Sequence, residues 1–283
     1  MKSIKLFLSL TVIAVAAGVV FSGCDSLFNE EEEDTGMLSI LLTDAPFPLE
    51  WVAEANVTID SILVHSMGSD EFITLSSASQ VFNLLDLRNG VTASLASVEI
   101  PTGQYNQLRL IVNDSAASVI LNDSAGTSSP LDIPSGGKSG MKLNIKPFLQ
   151  VQAGIESELL LDFDVSKSFH PKGNLDSIGG ITGFIFSPVL RVVNLGNTGR
   201  LQGTVTDSSS SEVIPGAQIS ISVADTVLTS TLADTLGAYA IIGLPADTYS
   251  VEASASDYNS KSVSDVTIDA KGITVQNFAL TQQ

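Results

Sequence analysis

The sequence predicts an all-β protein built as two β-sandwich domains behind an N-terminal leader and an acidic, disordered spacer. Three observations predict it. From Gly36 onward apolar and polar residues alternate with period two, as in Val57-Thr58-Ile59-Asp60-Ser61-Ile62-Leu63-Val64 and Gln218-Ile219-Ser220-Ile221-Ser222-Val223. Gly, Asp, Asn, Ser and Pro recur between such runs, and no window beyond the leader sustains helical spacing over a dozen residues. The stretch that alternates is longer than one small sandwich needs, which favours two domains.

The leader, residues 1–23, opens with Lys2 and Lys5, continues as an apolar run from Leu6 to Phe21 and ends in the small residues Ser22 and Gly23. That is the layout of a cleaved secretory signal peptide, and the run is shorter than the ~20 residues a spanning helix needs. The next residue, Cys24, is the single cysteine of the 283. Phe21-Ser22-Gly23-Cys24 resembles the lipobox of bacterial lipoproteins, which implies a lipoprotein signal peptide and a Cys24 that is acylated and becomes the mature N-terminus. Several acyl chains on one residue hold a protein at a membrane where one chain would let go. With Cys24 so used no thiol is left for a disulfide, a cysteine-ligated metal or a cysteine nucleophile.

Residues 24–35 form the spacer. Its acidic run, Glu30 to Asp34, repels itself and should extend as a disordered tether. It also resembles the acidic stretch that some diderm bacteria place after a lipidated cysteine to send a lipoprotein to the outer face of the outer membrane. The formal net charge is -18, and it grows more negative once Lys2 and Lys5 leave with the leader. A nucleic-acid partner is excluded, because phosphate binding needs an excess of Lys and Arg.

The first domain is expected over residues 36–196. Its markers are Gly36-Met37-Leu38-Ser39-Ile40-Leu41-Leu42-Thr43-Asp44-Ala45-Pro46, read as a strand ending in a turn that Asp44 caps, then Ile100-Pro101-Thr102-Gly103-Gln104-Tyr105, Ser139-Gly140-Met141-Lys142-Leu143, Leu161-Asp162-Phe163-Asp164 and Ser187-Pro188-Val189-Leu190-Arg191. The series resembles the family called domain of unknown function 4382, found in bacterial lipoproteins; the resemblance implies no activity. Asn194 to Gly199 is the expected joint.

The second domain is expected over residues 197–283. Ile214-Pro215-Gly216-Ala217 reads as a tight turn, Asp234-Thr235-Leu236-Gly237 as a hairpin closure, and Gly243-Leu244-Pro245-Ala246-Asp247-Thr248-Tyr249 as a strand pair with a packed tyrosine. In this order they resemble the carboxypeptidase-regulatory-like domain, a prealbumin-type sandwich of the carbohydrate-binding-like fold group. The resemblance implies a fold and an accessory role, without peptidase activity. Asp247 departs from it, standing where the family usually has Gly.

Candidate chemistry is sparse. Ser135-Gly136-Gly137-Lys138-Ser139 ends like a phosphate loop, yet Asp132 occupies the position of the first glycine and no helix follows, so a mobile hairpin is expected. His65 and His170 stand in distant segments with no nucleophile elbow, His65 ending a strand and His170 lying in a Phe-His-Pro loop. Asp162 and Asp164, two apart on one strand face, could join Asp44 in a calcium site or an acid/base pair, the solvated or turn-capping role being favoured. Trp51, the sole tryptophan, is expected in a loop, with Tyr105, Tyr239, Tyr249 and Tyr258 structural.

The expectation is therefore a non-enzymatic lipoprotein of the outer membrane, facing the cell surface. Cys24 is its anchor and its only assigned site residue; no cofactor and no metal is assigned. Two sandwiches present loops to a polysaccharide or an envelope protein. A structural or adhesion subunit is the first alternative, and an enzyme with an acidic site on Asp44, Asp162 and Asp164 the second.

Overall fold

The computed structural model of the chain describes residues 34–45, 51–132 and 140–283. The leader, Cys24, the acidic run through Glu33 and the Ser135 to Ser139 segment, for which a hairpin is expected, lie outside them.

The described residues are all-β. In the first module the strands are β1 (Thr35–Ala45), β2 (Val52–Ser66), β3 (Phe72–Ser76), β4 (Gln80–Asn83), β5 (Ala93–Pro101), β6 (Gly103–Leu121), β7 (Ser128–Asp132), β8 (Met141–Val151), β9 (Glu156–Asp164), β10 (Phe169–Gly173), β11 (Ile181–Phe186) and β12 (Leu190–Asn194). In the second they are β13 (Thr198–Asp207), β14 (Gln218–Val223), β15 (Thr226–Leu232), β16 (Ala238–Pro245), β17 (Asp247–Ser254), β18 (Lys261–Ile268), β19 (Ile273–Val275) and β20 (Phe278–Leu280).

A four-stranded sheet, β12-β9-β1-β5, forms one layer of the first module. The other is an eight-stranded sheet on the path β10-β11-β7-β6-β2-β3, with β4 on β2 and β8 on β6. Strand alternation drives the layering: Leu38, Ile40 and Leu42 of β1 and Leu159, Leu161 and Phe163 of β9 are fully buried in one shared core with Val57, Ile62 and Val64 of β2. Phe186 anchors it, its ring 6.1 Å from Phe163 and 4.8 Å from Phe169.

The second module packs β16-β13-β19, with β20 also on β13, against β15-β14-β17-β18 around its own core of Leu201, Val205, Ile219, Ile221, Val251 and Phe278. The expected turns are present. Gly216 has φ +72°, which a Pro-Gly type II turn demands at its second central position. Asp234 Oδ1 accepts the amides of Leu236 and Ala238 at 2.8 and 2.9 Å, closing the hairpin. Asp247 opens β17, and its carboxylate accepts the Thr248 amide at 2.7 Å.

One device holds a strand corner in each module. After Ile100-Pro101 the Tyr105 hydroxyl donates back to the Pro101 carbonyl at 2.7 Å, and after Leu244-Pro245 the Tyr249 hydroxyl donates to the Pro245 carbonyl at 2.8 Å. Both rings are buried, so each hydroxyl satisfies a carbonyl at the bend, as a tyrosine corner does. Tyr249→Phe should lower stability by roughly 1 kcal/mol, the net worth of one hydrogen bond, with Tyr249→Ala costing several times more through the lost ring. Urea unfolding of the two variants checks the order; an unchanged Tyr249→Phe would show that the hydroxyl contributes nothing.

Two cores do not make two separate bodies here, because the residues from Asp34 to Gln283 form one compact unit. What joins the modules is also where the acidic residues lie.

Candidate functional site

β1 and β9 run parallel, with Thr43 opposite Asp162, Asp44 opposite Phe163 and Ala45 opposite Asp164. A strand more than a hundred residues downstream therefore brings the three aspartates to one end of one sheet. Asp44 is not the exposed turn cap the sequence suggested. It continues the core-facing row of Leu38, Ile40 and Leu42 at the end of β1, is 6% exposed, and accepts the Val165 amide on Oδ1 at 3.3 Å. Its Oδ2 is buried with no hydrogen-bond partner among the described residues.

Asp162 and Asp164 point the other way from the core row of β9. Asp162 Oδ2 takes both Arg191 Nη2 at 2.6 Å and Nε at 3.2 Å, a two-pronged pair in which Arg191 is itself mostly buried. Asp164 caps the helical turn Val165–Ser168, accepting the Lys167 amide at 3.1 Å and the Ser166 hydroxyl at 2.6 Å, and pairs with Lys167 Nζ at 2.7 Å. Burial drives the Asp44 carboxyl well above its ordinary range, with the Asp162 charge adding to it; the Val165 amide and Arg88 oppose them. Burial also raises Asp162, against the pull of Arg191. Burial pushes Asp164 up too, but its Lys167 and Ser166 hydrogen bonds win and hold it below the ordinary value.

Arg191 has a third task. Its Nη1 donates to the Gly243 carbonyl of β16 at 3.2 Å, tying the first module to the second. Gly243 has φ +69°, and a Cβ there would stand 2.8 Å from Leu160 Cδ2 of β9. Any other residue would be strained at that φ and would crowd the Leu160 side chain.

A second tie comes from the Arg88-Asn89-Gly90-Val91 turn. Asn89 and Gly90 have φ 59° and 76°, and the Val91 amide donates to the Arg88 carbonyl at 3.2 Å, as in a type I′ turn. Thr43 Oγ1 clamps its base, lying 3.0 and 2.9 Å from the carbonyls of Leu87 and Val91. At the apex Asn89 Nδ2 donates to the Ala238 carbonyl at 3.2 Å while its Oδ1 accepts the Ala240 amide. β16 is the outer strand of its sheet, so one side-chain amide supplies the donor and the acceptor that a neighbouring strand would have given.

Between these ties lies a cavity of about 20 Å³ lined by Thr43, Asp44, Asn89 and Asp162 of the first module and by Thr229, Thr231 and Ile241 of the second. Asp164 is not among its walls. The space holds about one water molecule and is far too small for a substrate. Thr231 Oγ1, like Asp44 Oδ2, is buried there without a partner among the described residues. Among the described residues no group of three or more His, Cys, Asp or Glu side chains is placed to hold a metal ion.

The other candidate residues are dispersed. His65, in β2, contacts Asn106 Oδ1 through Nδ1 at 3.0 Å and lies 5.0 Å from the Phe72 ring, over which Arg109 stacks at 4.0 Å. His170 is not in a loop: it is an exposed residue of β10, opposite Ile185 of β11. Trp51 stands in the turn before β2 and packs against the first core. Tyr239 is buried with its hydroxyl on the Gln276 carbonyl at 2.5 Å, and Tyr258 bridges to Gln282. Asp132 is paired with Lys172. Cys24 lies outside the described residues. Sequence reasoning missed Asn89, Gly90 and Arg191; the Asn-Gly dipeptide was the available signal for the first two.

Two outcomes follow for the joint. Arg191→Ala leaves the Asp162 charge buried and alone, and should cost about 3–5 kcal/mol in denaturant unfolding. For Asp44 the native state holds the proton more tightly than the unfolded chain, whose carboxyl titrates near 3.8. Its contribution is therefore fully present below that pH and is lost as pH rises through the higher native value. Asp44→Asn should flatten this decline and be more stable than the wild type at pH 8, as read from melting temperature against pH; parallel curves for the two proteins would refute the assignment.

Two family models match the chain. Residues 35–188 match the family model Domain of unknown function (DUF4382), and residues 200–281 match Carboxypeptidase regulatory-like domain. No curated protein matches the chain. Among solved structures, a Bacteroides uniformis protein named "putative carbohydrate binding protein" is 20% identical over 30% of this chain and 42% of its own, with a TM-score of 0.27. The Bacillus anthracis TIE protein is 13% identical over 88% of this chain and 34% of its own, TM-score 0.26. The chain thus spans less than half the length of either. The shaft pilin SpaA from Lactobacillus rhamnosus GG is 12% identical over 88% of this chain and 98% of its own, TM-score 0.25. The first family match alone spans more than half of the 283 residues, and the chain belongs to the family Domain of unknown function (DUF4382).

Proposed function

We propose that the protein is a non-enzymatic lipoprotein of the outer membrane, anchored through acylated Cys24, with residues 24–35 as a spacer that holds the β modules off the surface facing the cell exterior. The modules act as one rigid presenting unit whose partner is a polysaccharide or another envelope protein.

One observation carries this reading. The acidic residues that would have furnished an enzyme are committed to structure: Asp162 to Arg191, Asp164 to its helical turn and Lys167, and Asp44 to the Val165 amide beside a cavity of one-water size. An acid/base pair needs an open site that admits a substrate between its carboxylates. Arg191, the partner of Asp162, also ties the first module to the second, which suits a chain whose task is to hold surfaces in a set geometry. The anchor is supported by the charged start, apolar run and small residues before the single cysteine.

Full-length protein and a Cys24→Ala variant, produced in a diderm host, test it by fractionation and by protease treatment of intact cells. The wild type should sit in the outer membrane and be clipped from outside, while the variant should be soluble. Equal fractionation of the two would remove the anchor, and a membrane-bound but protected wild type would remove the outward orientation.

A further inference from the structure

A second, larger concavity lies on the outer face of the β16-β13-β19 sheet. Leu201 and Val205 of β13 go fully into the second core, so Arg200, Gln202 and Thr204, on the alternate positions, face outward. Across the sheet Gln202 stands beside Val275 of β19 on one side and Ala240 of β16 on the other, and Thr204 beside Ala238. The two alanines keep the floor low. Asn89 of the first module, Asp234 and Asn277 complete a groove of about 460 Å³, within the usual range of ligand sites.

Its polar groups are unevenly engaged. Asn277 turns Oδ1 to the Thr204 amide and hydroxyl at 2.9 and 3.2 Å, and Asn89 is held by β16. Gln202 makes no side-chain hydrogen bond among the described residues, and Arg200 Nε is buried there without a partner. A buried donor left unpaired costs free energy, which a ligand oxygen would restore. Beside these forks the edge strand β19 exposes Ile273 and Val275 to 65% and 61%, a flat aliphatic strip rather than a charged one.

We propose that this groove binds a neutral, hydroxyl-rich chain, a segment of polysaccharide, with Arg200 and Gln202 engaging its hydroxyls and Val275 packing on its C–H faces. Planar guanidinium and amide groups each present paired hydrogen-bonding atoms, which match vicinal hydroxyls, and the aliphatic strip matches the apolar faces of sugar rings. The walls carry one cation and one carboxylate, Arg200 and Asp234, in a chain of net charge -18 that repels polyanions. The proposal rests on the reading of the modules as a presenting unit and names the site and ligand class within it. Because Asn89 belongs to the first module, the groove is complete only while the two modules are joined.

Titration calorimetry of the detergent-solubilised full chain with maltohexaose, cellohexaose and mannohexaose tests it, using wild type, Arg200→Lys, a Gln202→Ala and Arg200→Ala double variant, and His65→Ala on another sheet as control. At least one hexaose should bind. Arg200→Lys, which keeps the charge and loses the fork, should bind it roughly tenfold more weakly, as one lost hydrogen bond predicts, and the double variant should not bind measurably. Melting temperatures should not fall below the wild-type value, because neither side chain has a hydrogen-bond partner to lose. Binding that survives the double variant overturns the groove while leaving the presenting unit in place. No binding of any hexaose by the wild type overturns the ligand class, and the anchored-presentation reading is then judged by its own fractionation result.

Discussion

Arg191 is the residue on which the arrangement of the molecule turns. It neutralises Asp162, which the parallel pairing of β1 and β9 would otherwise leave buried beside a second carboxyl, and it carries a donor across to the Gly243 carbonyl of the second module. Desolvating a charge is costly, and the cost is met only when the partner is close and well aligned. Here the aligned partner is the same group that spans the joint. The close approach at Gly243 and the Asn89 amide on the free edge of β16 then complete a contact that neither module could make with water.

The sequence reveals the β class because alternation is local: Val57 to Val64 and Gln218 to Val223 each show their buried faces in their own order. Turns read well for the same reason, since Pro215-Gly216 and the Asp234 to Gly237 hairpin carry their backbone requirements in adjacent residues.

Asp44 was misread because its neighbourhood is not local. Followed by Ala45 and Pro46, it has the look of a turn cap, but β9 arrives parallel to β1 from far downstream and turns the row's last position into a buried one. The proline beside His170 suggests a loop, yet the Phe-His-Pro stretch pairs along β11. The joint was invisible for a further reason. Asn89 and Arg191 act on backbone atoms of residues 238, 240 and 243, which carry no side-chain signature of being contacted. The repeated corner of Pro101 with Tyr105 and Pro245 with Tyr249 was present in the sequence, but its meaning depends on which carbonyl each hydroxyl reaches.

A small polar joint makes the two cores into one cooperative body. Differential scanning calorimetry of the wild-type chain tests it most directly. A single transition is expected, with calorimetric and van't Hoff enthalpies in agreement, because losing either module strips Arg191 or Asn89 of its partner. Two resolved transitions, or a calorimetric enthalpy well above the van't Hoff value, would show that the modules unfold independently and would contradict it.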